Sequence, residues 1–308
     1  MKFITTLFLP LFFASSAIAQ IAGDTTIDVG KKVITLSIFV VNNKLNVHAF
    51  IDKIKNDSSF YKAFKNLHII NFNAINDIRM NNKKGELEAS LYSSTMQTVK
   101  DGCRTMKVLE EKSTGEMYNN SKEFNYYTAN MYASLFFTNG TICGESNIVN
   151  GVAFSTEGKS GMEKHKEQLK MLFFNPGKRI NGLPFMSNKT SIYDDELADS
   201  YDMNIDWQRY NNNNCYVFRQ KVKPSRKGSV VVDEMNTWFN DSTFQVVARN
   251  YSLSYDAGVY DFKVDMEIQM TTFGNLTVPS LIRYNGNWKA IFKKRERGIF
   301  TATLSNFH

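Results

Sequence analysis

Gly158-Lys159-Ser160 carries the tail of a phosphate-binding loop, in which backbone N–H groups and a lysine cradle nucleotide phosphates. The first glycine of such a loop would fall at Ala153, so the match fails. Ser160 with Glu163 three residues on reads instead as a capping box that opens a helix. Glu163, His165 and Glu167 crowd one segment as a metal site does, but helical spacing turns His165 away from the two carboxylates. Only four histidines are present, and none forms a His-Glu-x-x-His pair. Asp194, Asp195, Glu196, Asp199, Asp202 and Asp206 offer oxygen ligands without the glycine and alternating order of a calcium loop, so they read as a solvated acidic face. No serine sits in Gly-x-Ser-x-Gly and no cysteine in a nucleophile signature. The expectation is no metal, no cofactor and no catalysis; a hydrolase with carboxylates paired only in space stays as a third reading.

Two features suit binding. Tyr251, Leu253, Tyr255, Tyr260, Phe262, Met266, Ile268 and Met270 form one aromatic- and methionine-rich strand face, the composition that lines adaptable apolar cavities. The same face also reads as ordinary core, and both readings stand. Lys289, Lys293, Lys294, Arg295 and Arg297, broken by Glu296, make a basic patch that reads either as a solvated sheet face or as a contact for an anionic surface. The three cysteines are too far apart in sequence for a metal knuckle or redox pair. They read as a Cys103–Cys143 disulfide, or as three unpaired small hydrophobes.

The elements that must position these residues are mostly strands. From Tyr260 to Met270 apolar and polar residues alternate without a break, the signature of a strand with one buried face. Val33 to Val41 predicts a strand, and Val47 to Leu67 an amphipathic helix, or two short ones divided at Asn56 to Ser59. Ile69 to Met80 and Leu87 to Val99 predict a hairpin turning at Lys83-Lys84-Gly85. Phe124 to Phe137 fits a helix or a buried strand. Helical residues Met162 to Phe173 stop at Asn175-Pro176-Gly177, and an acidic helical turn lies at Tyr193 to Tyr201. From Cys215 onward the chain reads as antiparallel sheet: 215 to 223, 230 to 239, 243 to 255, 259 to 270 and 276 to 284. A change of parity between Ala248 and Tyr251 predicts a β-bulge near Arg249 and Asn250. Asn285-Gly286 predicts a hairpin turn, and Pro279 an edge position or a nitrogen facing away from a neighbour.

The 308 residues carry 37 basic and 30 acidic side chains, a net charge of +7. That mild excess, without a compact Arg/Lys reading motif, argues against nucleic-acid binding. Residues 1–19 read as a cleavable signal peptide, with Lys2, an apolar run and Ala17-Ile18-Ala19 before Gln20. After cleavage no apolar run reaches the roughly 20 residues of a membrane span. The expected organisation is the signal peptide 1–19, a strand segment 20–46, and one α+β domain 47–308 with its sheet densest over 215–308.

Together with the export signal and early helices, Tyr216-Val217-Phe218, Thr237-Trp238-Phe239-Asn240-Asp241-Ser242-Thr243, Tyr260-Asp261-Phe262 and Val278-Pro279 resemble the periplasmic lipoprotein-carrier superfamily, called LolA-like. The resemblance spans roughly Cys215 to Phe307. The middle region, Cys103 to Asn214, has no counterpart in it. In overall makeup the chain is also similar to exported bacterial envelope proteins. The resemblance implies a large, curved, half-barrel-like antiparallel sheet covered by a few helices, with an apolar cavity for a lipid or lipoprotein acyl chain. It implies location in the periplasm or on the outer envelope. The alternative is a structural or interaction protein of the envelope whose sheet is fully packed and whose partner is another envelope protein.

Overall fold

The computed structural model describes residues 24–149, 171–180, 186, 188–258, 260–290 and 294–308. In chain order the strands are β1 (Thr25–Val29), β2 (Lys32–Leu36), β3 (Phe72–Asn81), β4 (Leu87–Lys100), β5 (Cys103–Thr114), β6 (Thr141–Cys143) and β7 (Tyr201–Tyr210). There follow β8 (Asn213–Val222), β9 (Val232–Asn240), β10 (Val246–Asp256), β11 (Tyr260–Phe273), β12 (Leu276–Ala290) and β13 (Glu296–Ser305). The α-helices α1 (Ile38–Asn42), α2 (Val47–Asn56), α3 (Ser59–Asn66) and α4 (Tyr127–Phe136) accompany them, and residues 171–174 are also helical.

All thirteen strands join one unclosed sheet in the order β1-β2-β7-β8-β9-β10-β11-β12-β13-β3-β4-β5-β6. Neighbours are antiparallel except β2 and β7, which pair in parallel through Ile34 and Met203. That pair corrects the all-antiparallel expectation: a chain leaving β2 through the helices and the strands β3 to β6 returns alongside it in the same direction. The β3–β4–β5 strands join the carboxy-terminal meander where β13 pairs with β3.

Alternation fixes which face is inner. In β3, Phe72, Ala74, Ile78 and Met80 are buried while Ile75 and Arg79 are exposed. In β11, Phe262, Val264, Met266 and Ile268 are buried against exposed Lys263 and Asp265. The helices cover this inner face. The polar gap at Asn56 to Ser59 does divide two helices, because the Asp57 carboxylate accepts from Ser59 N at 3.1 Å and ends one helix as it starts the next. Asn46 caps α2 by accepting from Ala49 N at 3.1 Å. Phe50 of α2 packs edge-on to Phe239 at 5.3 Å. Phe124 to Phe137 resolves as α4, and the acidic turn as a 3-10 helix over Asp195–Ser200. Gly177, with φ +81°, ends the helical residues 171–174.

Three local expectations are overturned. The stretch Val33 to Val41 is not one strand: it stops at Leu36, and Ile38–Asn42 turn into α1 so that Val40 enters the core. Tertiary packing there overrides the β preference of its branched residues. The bulge falls at Val247, between the pairs Val246↔Phe239 and Ala248↔Trp238. The parity change is real, but it begins two residues early and turns Arg249 inward. Asn285-Gly286 is no turn; both residues sit inside β12, opposite Asp265 and Val264 on one side and Ile299 and Gly298 on the other. The glycine serves packing: a Cβ on Gly286 would lie 1.9 Å from the Tyr284 hydroxyl, whose ring covers it. Pro279 behaves as its chemistry requires. The β13 ladder begins only at Leu281, so the proline faces no donor-seeking neighbour on that side.

Candidate functional site

Between α3, α4 and the inner sheet face lies a cavity of about 260 Å³. Sheet register makes its floor: Leu304 of β13 opposes Ala74 of β3, and Ala302 opposes Asn76. The two alanines leave room that larger inward residues fill elsewhere. Phe64 of α3, Phe136 of α4, Phe72 and Phe174 make the walls. The Phe64 and Phe174 ring centroids are 4.5 Å apart, and Phe136 meets Phe174 at 6.1 Å.

One end of the cavity is polar. Gln97, 2% exposed, donates to the carbonyls of Leu67 (2.6 Å) and Ile70 (2.9 Å), and accepts from Thr138 Oγ1 at 3.3 Å. Arg104 donates to Thr138 and to both carboxylate oxygens of Glu145. His68 Nδ1 lies 3.0 Å from Glu145 Oε1. Asn76 accepts from the Tyr132 hydroxyl at 3.0 Å and donates to Ser93 Oγ at 3.3 Å. Ser134 at the rim donates to the Met131 carbonyl at 2.7 Å, so its proton is committed to the helix.

Burial drives His68 down to about 4, against the pull of Glu145 and helped by Arg104 and Lys65. Burial alone raises the Glu145 carboxyl, but the Arg104 hydrogen bond and the nearby His68, Arg104 and Lys65 outweigh it and hold it below its ordinary range. At neutral pH this end therefore holds a neutral imidazole, one carboxylate and the cations Arg104 and Lys65, an excess of one positive charge.

The disulfide builds this end. Cys103 and Cys143 are bonded to each other where β5 pairs with β6. Arg104 follows the first cysteine directly and Glu145 follows the second by two residues, so the crosslink sets them facing each other. Cys215 is free and buried.

The eight residues singled out from sequence lie on β10 and β11 and face inward, with Tyr260 and Met270 only partly buried. Tyr251 donates its hydroxyl proton to the Phe173 carbonyl. Tyr255 receives a hydrogen bond from Lys189 Nζ at 2.7 Å. The open space against this face is about 20 Å³, bordered among others by Leu253, Phe262 and Val264 with Met131 and Phe173. In the basic patch, Lys289 is exposed, Lys294 reaches Glu88 at 3.5 Å, and Arg295 pairs with Asp261 at 2.7 Å. Arg297 is partly buried and Lys293 lies outside the described residues. So do Gly158-Lys159-Ser160 and the Glu163, His165, Glu167 group. The acidic residues near 200 are engaged separately: Asp194 with Arg179 at 2.7 Å, Asp195 with Lys32 at 3.2 Å, and Asp206 with Arg219 at 3.2 Å. Among the described residues no group of three or more His, Cys, Asp or Glu is placed to hold a metal ion, and no helix is long and apolar enough to cross a membrane.

Sequence reasoning missed His68, Gln97, Arg104 and Glu145, which come from four separate segments. The one available signal was a charged residue within two positions of each cysteine of the proposed disulfide.

No family model matches the chain, and no curated protein matches it. Among solved structures, a DUF1329 family protein from Desulfovibrio piger, a crystal structure at 1.75 Å resolution, is similar over 85% of this chain and 92% of its own. The identity is 12% and the TM-score 0.25, and nothing is carried over from it.

Proposed function

We propose that this is an exported, non-catalytic envelope protein that binds a lipid-like ligand, with its chain between α3 and α4 and its polar end beside Arg104 and Lys65. The observation that supports this reading is the 260 Å³ cavity, walled by aromatic rings and polar and charged at one end. A water takes about 30 Å³ and a methylene a similar volume, so the space suits a chain of roughly eight carbons. The excess positive charge at the polar end favours an anionic head group. The competing reading, an interaction protein with a packed sheet, draws on the far smaller space, about 20 Å³, under the β10–β11 face.

The test is displacement of an apolar fluorescent probe by decanoate on the purified exported chain. Saturable displacement is expected, and Ala302→Phe, which fills the cavity floor, should abolish it while shifting Tm by only a few degrees. Probe binding that survives Ala302→Phe in a folded protein counts against the cavity and favours the interaction reading. N-terminal sequencing of the same material checks processing after Ala19.

A further inference from the structure

On the inner face of β8–β10, beside the first turn of α3, lies a charge with no counter-charge bonded to it among the described residues. Arg249 is 5% exposed. Its Nε donates to Thr237 Oγ1 at 2.9 Å, and its guanidinium lies 4.2 Å from the centre of the Phe60 ring. Among the described residues its terminal nitrogens have no hydrogen-bond partner, and no carboxylate lies within ion-pair distance of it. Asp57, the carboxylate that faces it from the helix side, is already committed to the Ser59 N–H and hydroxyl.

The neighbours sharpen the imbalance. Lys178, a second cation facing Arg249, donates to the Ile54 and Lys55 carbonyls at the end of α2. Gln220 is fully buried; its amide makes no hydrogen bond of normal geometry, and only the Tyr193 hydroxyl offers it a weak one. Tyr193, also buried, lies beside both Gln220 and Arg249. Register gathers them: Phe218 opposes Thr237, Thr237 opposes Arg249, and Gln220 is two residues along β8 on the same face. A buried cation and a buried amide each cost several kcal/mol when left unpaired, so a fold retains them where something else completes the set.

We propose that Arg249, Gln220 and Lys178 form an interior site for a small oxyanion of the phosphate ester class. Arg249 would supply the paired donors that suit phosphate oxygens, Gln220 a further N–H, and Lys178 a point charge. The oxyanion is either free in solution or the head group of a lipid-like ligand, and the two sources share this chemistry. The inference does not depend on the α3–α4 cavity, which lies on other residues.

Thermal unfolding of the full exported chain is measured with sodium phosphate, with dodecyl phosphate below its micellar concentration, and with sodium chloride at matched ionic strength. The site predicts a Tm rise of several degrees with phosphate or dodecyl phosphate over chloride. A rise with inorganic phosphate marks a free anion; a rise with dodecyl phosphate alone marks a head group. Arg249→Met should remove the rise, and Gln220→Leu should reduce it, in proteins that still fold. Equal rises in wild type and both variants, or no rise above chloride in any, would overturn the proposal and leave Arg249 as a packing residue. If Arg249→Met fails to fold, an undiminished rise in Gln220→Leu overturns it equally.

Discussion

Tyr284 of β12 stacks on Phe300 of β13 with ring centroids 4.7 Å apart and planes 12° from parallel. Each ring lies over a glycine two residues away on the same face, Gly286 and Gly298, and these glycines oppose each other across the ladder. Ring and glycine together fill one site: the missing side chain is replaced by its neighbour's. Gly286→Ala should therefore displace a buried ring and cost about 1–3 kcal/mol, read as a lower denaturation midpoint with unchanged slope. A loss of a few tenths of a kcal/mol would mean the ring moves freely.

Phe262 is buried and Lys263 exposed on the same strand. Phe262→Asp should destabilise the protein by several kcal/mol through an unpaired buried charge, and Lys263→Asp by less than about 0.5 kcal/mol. Urea melts of the two variants decide it; equal losses would show the face misassigned.

Glu296 of β13 anchors α4 from outside the helix. Its carboxylate accepts from Tyr127 N at 2.9 Å and Thr128 N at 2.7 Å, doing for a distant helix what a local cap does. Trp288 adds a bond to the Thr128 hydroxyl at 2.9 Å. Glu296→Ala should cost about 1–2 kcal/mol and speed amide exchange in α4 first. Uniform exchange across the protein would assign the loss elsewhere.

His68 sets a pH window. Its folded value, about 4, lies below the model-peptide value of 6.5. The unfolded chain therefore takes up a proton at pH values where the folded one does not. Stability from this group is complete above pH 6.5 and falls as pH drops towards 4, by on the order of 3 kcal/mol. His68→Gln should flatten that slope between pH 6.5 and 4 in urea melts; an unchanged slope would place its origin in other groups.

Alternation made the strands legible, because period two is a local property and the inner face of β11 depends on nothing distant. The failures have another origin. Asn285-Gly286 satisfies the local chemistry of a turn, and only the Tyr284 ring beside it shows why a glycine is there. Arg249 has the polarity of an outward residue, and a bulge two residues earlier in its own strand reverses it. The cavity end was illegible for a different reason: His68, Arg104 and Glu145 meet only after β5 has paired with β6 and their flanking cysteines have joined.

The β13–β3 ladder carries a consequence for assembly. Its two members lie far apart in the chain, at 72–81 and 296–305, and loop closure on that scale delays pairing more than it weakens it. Until β13 docks, β3 presents a row of unpaired amides and carbonyls beside an apolar face, an invitation to pair with another molecule. Aggregation during refolding should then track how long this one strand edge stays open, so a variant with slower β13 docking can be native-stable and still hard to recover.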